Sequence, residues 1–173
     1  EGDIVLVQDP CYPIFRDGPL LAGAKVVTMP LLKENDYLID FDMIDEKTAQ
    51  DAKYMIVSYP NNPTCGVAND EFYKKLIVFA KKYNIMVLHD NAYSELLFEG
   101  PGRSFLEFEG AKDVGIEFNS LSKTYGLAGA RIGFALGNKE IIGKLKSLKS
   151  NLDYGMFLPV QKGAIKALTQ DQS

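Results

Sequence analysis

A chain of 173 residues, 46% hydrophobic and 24% charged, has the composition of one globular domain and the length to bury a sizeable core. Its formal charge of −4, with no basic cluster interleaved with aromatics, argues against a polyanion-binding surface and so against nucleic acid as a partner. No apolar run approaches the roughly 18 residues of a membrane span, and no charged start leads into an apolar signal core, so neither a membrane nor a secreted form is expected.

Short β-branched or apolar runs alternate with longer stretches of helical character, the pattern of βαβ units. Strands are predicted over 4–7, 24–28, 54–58, 85–89, 114–118 and 132–136. Several are nearly continuous apolar runs, as strands covered on both faces should be. The fold class that follows is α/β with a mostly parallel sheet.

Between the third and fourth strands, Asn69 reads as an N-cap, with Asp70 and Glu71 supplying negative charge to the first helical turn. Phe72, Leu76, Phe79, Ala80 and Tyr83 recur at helical period and form the predicted buried stripe of that helix. The stretch 139–151 repeats the logic with Ile141, Ile142, Leu145, Leu148 and, just beyond, Leu152 facing inward and lysines facing solvent. A last helix is predicted over 156–168.

Cys11 and Cys65 belong to no CxxC or Cys/His set, so neither a disulfide framework nor a zinc site is expected, and a reducing cytoplasm fits. The single histidine, His89, rules out a multi-histidine metal site and is expected to pack at a strand end.

In an open α/β sheet a ligand sits outside the carboxyl ends of the strands. Four motifs fall there: Pro10-Cys11-Tyr12-Pro13, Pro60-Asn61-Asn62-Pro63-Thr64, Asp90-Asn91-Ala92-Tyr93 and Ser120-Leu121-Ser122-Lys123. Their common position predicts one site. A lysine amine can condense with an aldehyde to a Schiff base, while two hydroxyls and the forked guanidinium of Arg131 can hold a phosphate dianion. Gly129 and Gly133 are expected to let the backbone turn and approach closely.

The spacing Ser-x-Ser-Lys-x5-Gly-x-Arg-x-Gly, from Ser120 to Gly133, resembles the lysine signature of the class I/II aminotransferases, which are fold-type-I enzymes of pyridoxal 5'-phosphate (PLP). The resemblance implies a three-layer α/β/α cofactor domain with a Schiff base on Lys123, whose freed amine then carries a proton between substrate Cα and cofactor. It implies that Asp90 holds the protonated pyridine nitrogen, and that Tyr93 and Asn62 donate toward the 3-oxygen. Tyr12 would stack on the ring, and Arg131, Ser120 and Ser122 would hold the phosphate. The sequence departs from the family wording at Cys65, which stands where glycine is common after Asn62-Pro63-Thr64 and puts the fine geometry of that loop in question.

On this resemblance the activity is amino-group transfer between an amino acid and a 2-oxo acid, with a C-S β-lyase or the aminotransferase-like sensor domain of a transcriptional regulator as alternatives. The wording of 89–93 and 150–155 is most similar to the branch holding the LL-diaminopimelate, aspartate and alanine aminotransferases. Residues 1–173 would then be most of the large PLP-binding domain, without the N-terminal segment and small C-terminal domain, excised from a cytoplasmic homodimer and inactive alone.

Overall fold

The computed structural model describes residues 2–172. Its strands are β1 (Ile4–Asp9), β2 (Lys25–Pro30), β3 (Ala52–Ser58), β4 (Met86–Asn91), β5 (Gly115–Ser120) and β6 (Gly133–Gly137). Its helices are α1 (Ile14–Leu21), α2 (Glu46–Asp51), α3 (Asp70–Tyr83), α4 (Ala111–Val114), α5 (Leu121–Thr124), α6 (Lys139–Leu152) and α7 (Leu158–Thr169), with short 3-10 turns between some of them. All six predicted strands form. They make one sheet of order β2-β1-β3-β4-β5-β6, parallel throughout except that β6 runs antiparallel to β5.

The order reverses at β1: the chain steps outward to β2, then returns to the other side of β1 as β3. Right-handed crossovers taken in opposite directions put α1 and α3 on opposite faces of the sheet. The carboxyl ends of β1 and β3 border the point of reversal, where a parallel sheet leaves room for a ligand.

The core lies between the sheet and α3. Leu6, Met55, Val57 and Val87 meet Phe72, Tyr73, Leu76, Ile77 and Ala80, and Phe105 and Phe108 seal one end. The Asn69 cap forms as predicted, its Oδ1 accepting from the Phe72 N–H at 2.9 Å. The buried stripe of α3 is centred differently from the prediction. Tyr73 and Ile77 are buried, whereas Phe79 and Tyr83 are only partly so. The helix lies broadside on the sheet, so two adjacent i,i+4 rows, 72/76/80 and 73/77, both point inward.

The C-terminal third has the apolar pattern of a core without its cover. On α6, Ile141, Ile142 and Leu145 are half-buried, but Leu148 and Leu152 are 58% and 70% exposed. Phe134 and Leu136 on the edge strand β6, and Phe157, Leu158, Ile165 and Leu168 on and before α7, are exposed as well. Helical period correctly marks the apolar face of α6; nothing among the described residues covers its far end.

Candidate cofactor site

The site is assembled by strand alternation at the carboxyl edge. On β4, His89 turns toward α3 and is fully buried, packed edge-on against Tyr73 as a strand-end residue should be. Asp90 therefore turns to the opposite face, level with Ser58 on β3 and Phe118 on β5. Its carboxylate has no hydrogen-bond or ion-pair partner among the described residues. Burial pushes the Asp90 carboxyl up from its ordinary value, and the charge of His89 offsets this only in part. A carboxylate kept mostly dry and unpaired is costly, and a cationic N–H donor is the partner that would relieve it.

Three loops bring the next groups together. Asn62, after β3, donates from Nδ2 to the hydroxyl of Tyr93, after β4, at 3.5 Å, a contact long enough for both groups to turn to another acceptor. The Nζ of Lys123, after β5, stands 6.0 Å from the centroid of the Tyr93 ring. The Asn62-Pro63 peptide is cis, and so are Asp9-Pro10 and Tyr59-Pro60.

Lys123 rides on the one-turn helix α5. Ser120 caps it, its Oγ accepting from the Ser122 N–H at 3.1 Å, and Leu121 anchors it in the interior. The Ser122 hydroxyl and the Lys123 ammonium have no hydrogen-bond or ion-pair partner among the described residues, though Lys123 faces the Tyr93 ring. Arg131 adopts a left-handed backbone at φ 54° and donates from Nη1 to the Ala128 carbonyl at 2.8 Å, with no carboxylate paired to it among the described residues. Gly133 is required by close approach, since a Cβ there would stand 2.5 Å from the Asn119 carbonyl oxygen where β6 joins β5. The same expectation fails at Gly129, where a Cβ would meet nothing within 4 Å. That turn projects into open space and needs no glycine for packing.

Tyr12 lies in the loop after β1, at the same edge, with half its surface exposed; its ring contact is edge-on with Phe15 at 6.0 Å. Asn62, Tyr93 and Lys123 are thus drawn together, with Asp90 on the strand beneath them and Ser120 and Ser122 on the segment that carries Lys123. Arg131 follows from the next turn, and Tyr12 lies in the loop after β1 with its ring against Phe15. An open hollow of about 520 Å³ lies instead at the amino ends of the strands, lined by Lys53, Tyr54 and the Lys81–Asp113 ion pair, and contains none of these residues.

Sequence reasoning missed the groups that hold the loops. Gln8, fully buried, accepts at Oε1 from the Ser58 N–H at 2.7 Å and from Asn61 Nδ2 at 3.4 Å. Asn61 in turn accepts from the Thr64 N–H at 3.2 Å and hydroxyl at 2.9 Å, closing the loop that presents Asn62. The only signal was a glutamine inside the apolar run of β1. Within this loop Cys65 has φ 60°, the left-handed conformation that glycine tolerates best, so a non-glycine residue there carries local backbone strain.

As chemistry, the donor set is consistent. Two cations with no carboxylate partner among the described residues and two serine hydroxyls suit a phosphate, the buried carboxylate suits a protonated ring nitrogen, and the Asn62–Tyr93 pair suits a phenolate oxygen. The family model for aminotransferase class I and II matches residues 1–173. LL-diaminopimelate aminotransferases from Halothermothrix orenii and Aquifex aeolicus are each 50% identical over 169 residues, covering 97% and 96% of this chain and 43% of their own. Among solved structures, substrate-bound BacF from Bacillus subtilis superposes with a TM-score of 0.96 at 45% identity, over 98% of this chain and 43% of that one. A probable N-succinyldiaminopimelate aminotransferase from Thermus thermophilus superposes with a TM-score of 0.94 at 33% identity, over 98% and 46%. The chain spans less than half the length of these relatives. With the fold, the lysine segment and the family model in agreement along its whole length, the chain belongs to the class I and II aminotransferases.

Proposed function

We propose that this chain is most of the large cofactor-binding domain of a PLP-dependent aminotransferase that moves an amino group between an amino acid and a 2-oxo acid. The observation that carries the reading is Asp90, a mostly buried carboxylate without a hydrogen-bond or ion-pair partner among the described residues, at the same sheet edge as Lys123. When bound, PLP supplies an aldehyde with which an amine condenses and a pyridinium ring that takes up the electrons left when an amino acid loses its Cα proton.

This chain's residues do the rest. Asp90 keeps the proton on the ring nitrogen by ion pairing, which is where an unpaired carboxylate in a dry setting is most useful. Asn62 and Tyr93 donate to the ring oxygen from preorganised positions. Lys123 would provide the covalent anchor, and its amine, when free, would hold and move a proton beside the substrate Cα. Ser120, Ser122 and Arg131 would hold the phosphate, and Tyr12 would cover the ring. The names of the relatives favour transfer over elimination and make LL-diaminopimelate the first amino donor to assay, with 2-oxo acids as acceptors. The parent works as a cytoplasmic homodimer on small molecules, without nucleic acid or membrane.

The test is borohydride reduction of the PLP-loaded enzyme that carries this segment, followed by peptide mass mapping. The expected result is one pyridoxyl adduct, at Lys123. An adduct at a different lysine overturns the assignment.

A further inference from the structure

Glu117 is a charged residue in the middle of a buried strand, and alternation along β5 sends it to the α3 face, away from the cofactor side. There it is 2% exposed, directly across from His89. Taking a carboxylate out of water is costly unless its lone pairs are all engaged. They are. Oε1 accepts from Asn91 Nδ2 at 3.2 Å, Asn119 Nδ2 at 3.0 Å and Ser104 Oγ at 3.0 Å. Oε2 accepts from the Phe105 N–H at 2.8 Å and His89 Nδ1 at 3.2 Å, and the single Ser104 hydroxyl proton, 3.1 Å away, is shared between the two oxygens. Burial alone would raise the Glu117 carboxyl. The hydrogen bonds from His89, Asn119 and Asn91, with the charge of His89 when protonated, outweigh it and hold the group at about 2.

Two of these donors matter for the cofactor edge. Asn91 and Asn119 form the last register pair of β4 and β5. Asn91 follows Asp90 in the chain, and Asn119 precedes Ser120. Beyond this rung the two segments part, one toward Tyr93 and the other into α5 with Lys123. An apolar pair could hold the sheet together equally well, but only a directional acceptor fixes both amides at one point.

We propose that Glu117 is a positioning residue for the cofactor site: from the far face of the sheet its carboxylate clamps Asn91 and Asn119, and so sets the separation of Asp90 and Tyr93 from Ser120, Ser122 and Lys123. This rests on the functional reading above. A glutamine at this position cannot serve the same way. The Phe105 N–H is fixed by the backbone, so the amide oxygen stays at that side and the amide NH₂ lands against the Asn91 and Asn119 donors.

The experiment compares Glu117→Gln with Tyr73→Phe, which removes the hydroxyl 3.3 Å from His89 Nε2 in the same polar cluster but leaves the Asn91–Glu117–Asn119 link intact. Amide hydrogen exchange of the 173-residue chain is expected to speed up about tenfold more at 90–94 and 118–123 than in β1 and α3 in Glu117→Gln, the worth of one lost charged hydrogen bond on top of any global loss of stability. Tyr73→Phe should leave those two segments as in the native chain. In the PLP-loaded enzyme, Glu117→Gln should weaken PLP retention about tenfold and move the pH midpoint of the bound cofactor's absorbance, while Tyr73→Phe does neither. Unchanged exchange at the two segments, or faster exchange spread evenly over the sheet, overturns the proposal, as does native PLP retention and absorbance in Glu117→Gln. If the native enzyme gives no adduct at Lys123, the PLP reading fails by itself, and the exchange pattern still decides whether Glu117 clamps the two strand ends.

Discussion

Acid should destabilise this chain through Glu117 more than through any of its exposed ion pairs. The folded state holds that carboxyl at about 2 against an ordinary 4.5. Each unit of pKa difference is worth about 1.4 kcal/mol, so the ionised, hydrogen-bonded carboxylate contributes about 3 kcal/mol. Because the folded value is depressed, that stability is fully present above pH 4.5, where both states are ionised. It declines as the unfolded chain takes up its proton below pH 4.5, and about three quarters of it is lost by pH 2.5, with the remainder going as pH falls through 2. The exposed pairs Lys47–Asp51, Glu71–Lys75 and Glu140–Lys144 add a background that is small and shared by every variant. The assay is urea unfolding of the native chain and of Glu117→Gln from pH 7 to pH 2.5. The stability advantage of the native chain should shrink by about 2 to 3 kcal/mol over that range, whereas the glutamine variant should follow the background alone. Parallel curves for the two proteins between pH 6 and pH 2.5 would refute the account of a buried, ionised hub.

Three further outcomes are expected. Asp90→Asn should stabilise the cofactor-free chain at neutral pH, because burial raises the Asp90 carboxyl and its ionised form is a cost that grows as pH rises; in the loaded enzyme the same change should slow turnover by about two or more powers of ten. Urea unfolding and steady-state kinetics check the two halves, and near-normal turnover would reduce Asp90 to a structural residue. Cys65→Gly should raise stability by up to about 1 kcal/mol, since it relieves a left-handed backbone at φ 60° and the gain exceeds the entropy that glycine loses; a lower thermal midpoint would contradict this. The isolated 173-residue chain, given PLP and an amino donor, should show no appreciable transfer in a coupled 2-oxo acid assay, because it spans less than half of its relatives and leaves the apolar ends of α6 and α7 uncovered.

The arrangement also divides labour between the two sides of the sheet. Asp90, Asn62, Tyr93 and Lys123 make few polar contacts with the rest of the protein, while Gln8, Asn61 and Glu117 are buried and each accepts two or more hydrogen bonds. Preorganisation of a site depends on the second set being rigid so that the first can remain unpaired.

What the sequence determined alone is what neighbouring residues encode. Apolar runs bounded by turn residues gave all six strands, the Asn69 cap with its acidic first turn gave the start of α3, and chain order put every motif at a strand's carboxyl end. Those signals are local, with periods of two or 3.6 residues and caps within one turn, and they survive without knowledge of any partner. The lysine segment was legible for the same reason, its six specified positions lying within fourteen residues. Tertiary structure decided the rest. The Gln8–Asn61 contact spans 53 residues and the Asn91–Glu117 contact 26, so each exists only once two strands lie side by side. The antiparallel direction of β6, the two buried rows of α3 and the bare end of α6 likewise depend on which elements face each other. Polarity is written at each position along the chain, but the partner that satisfies it is set by packing, because a buried donor or acceptor must be paired by whatever the fold brings within hydrogen-bond reach.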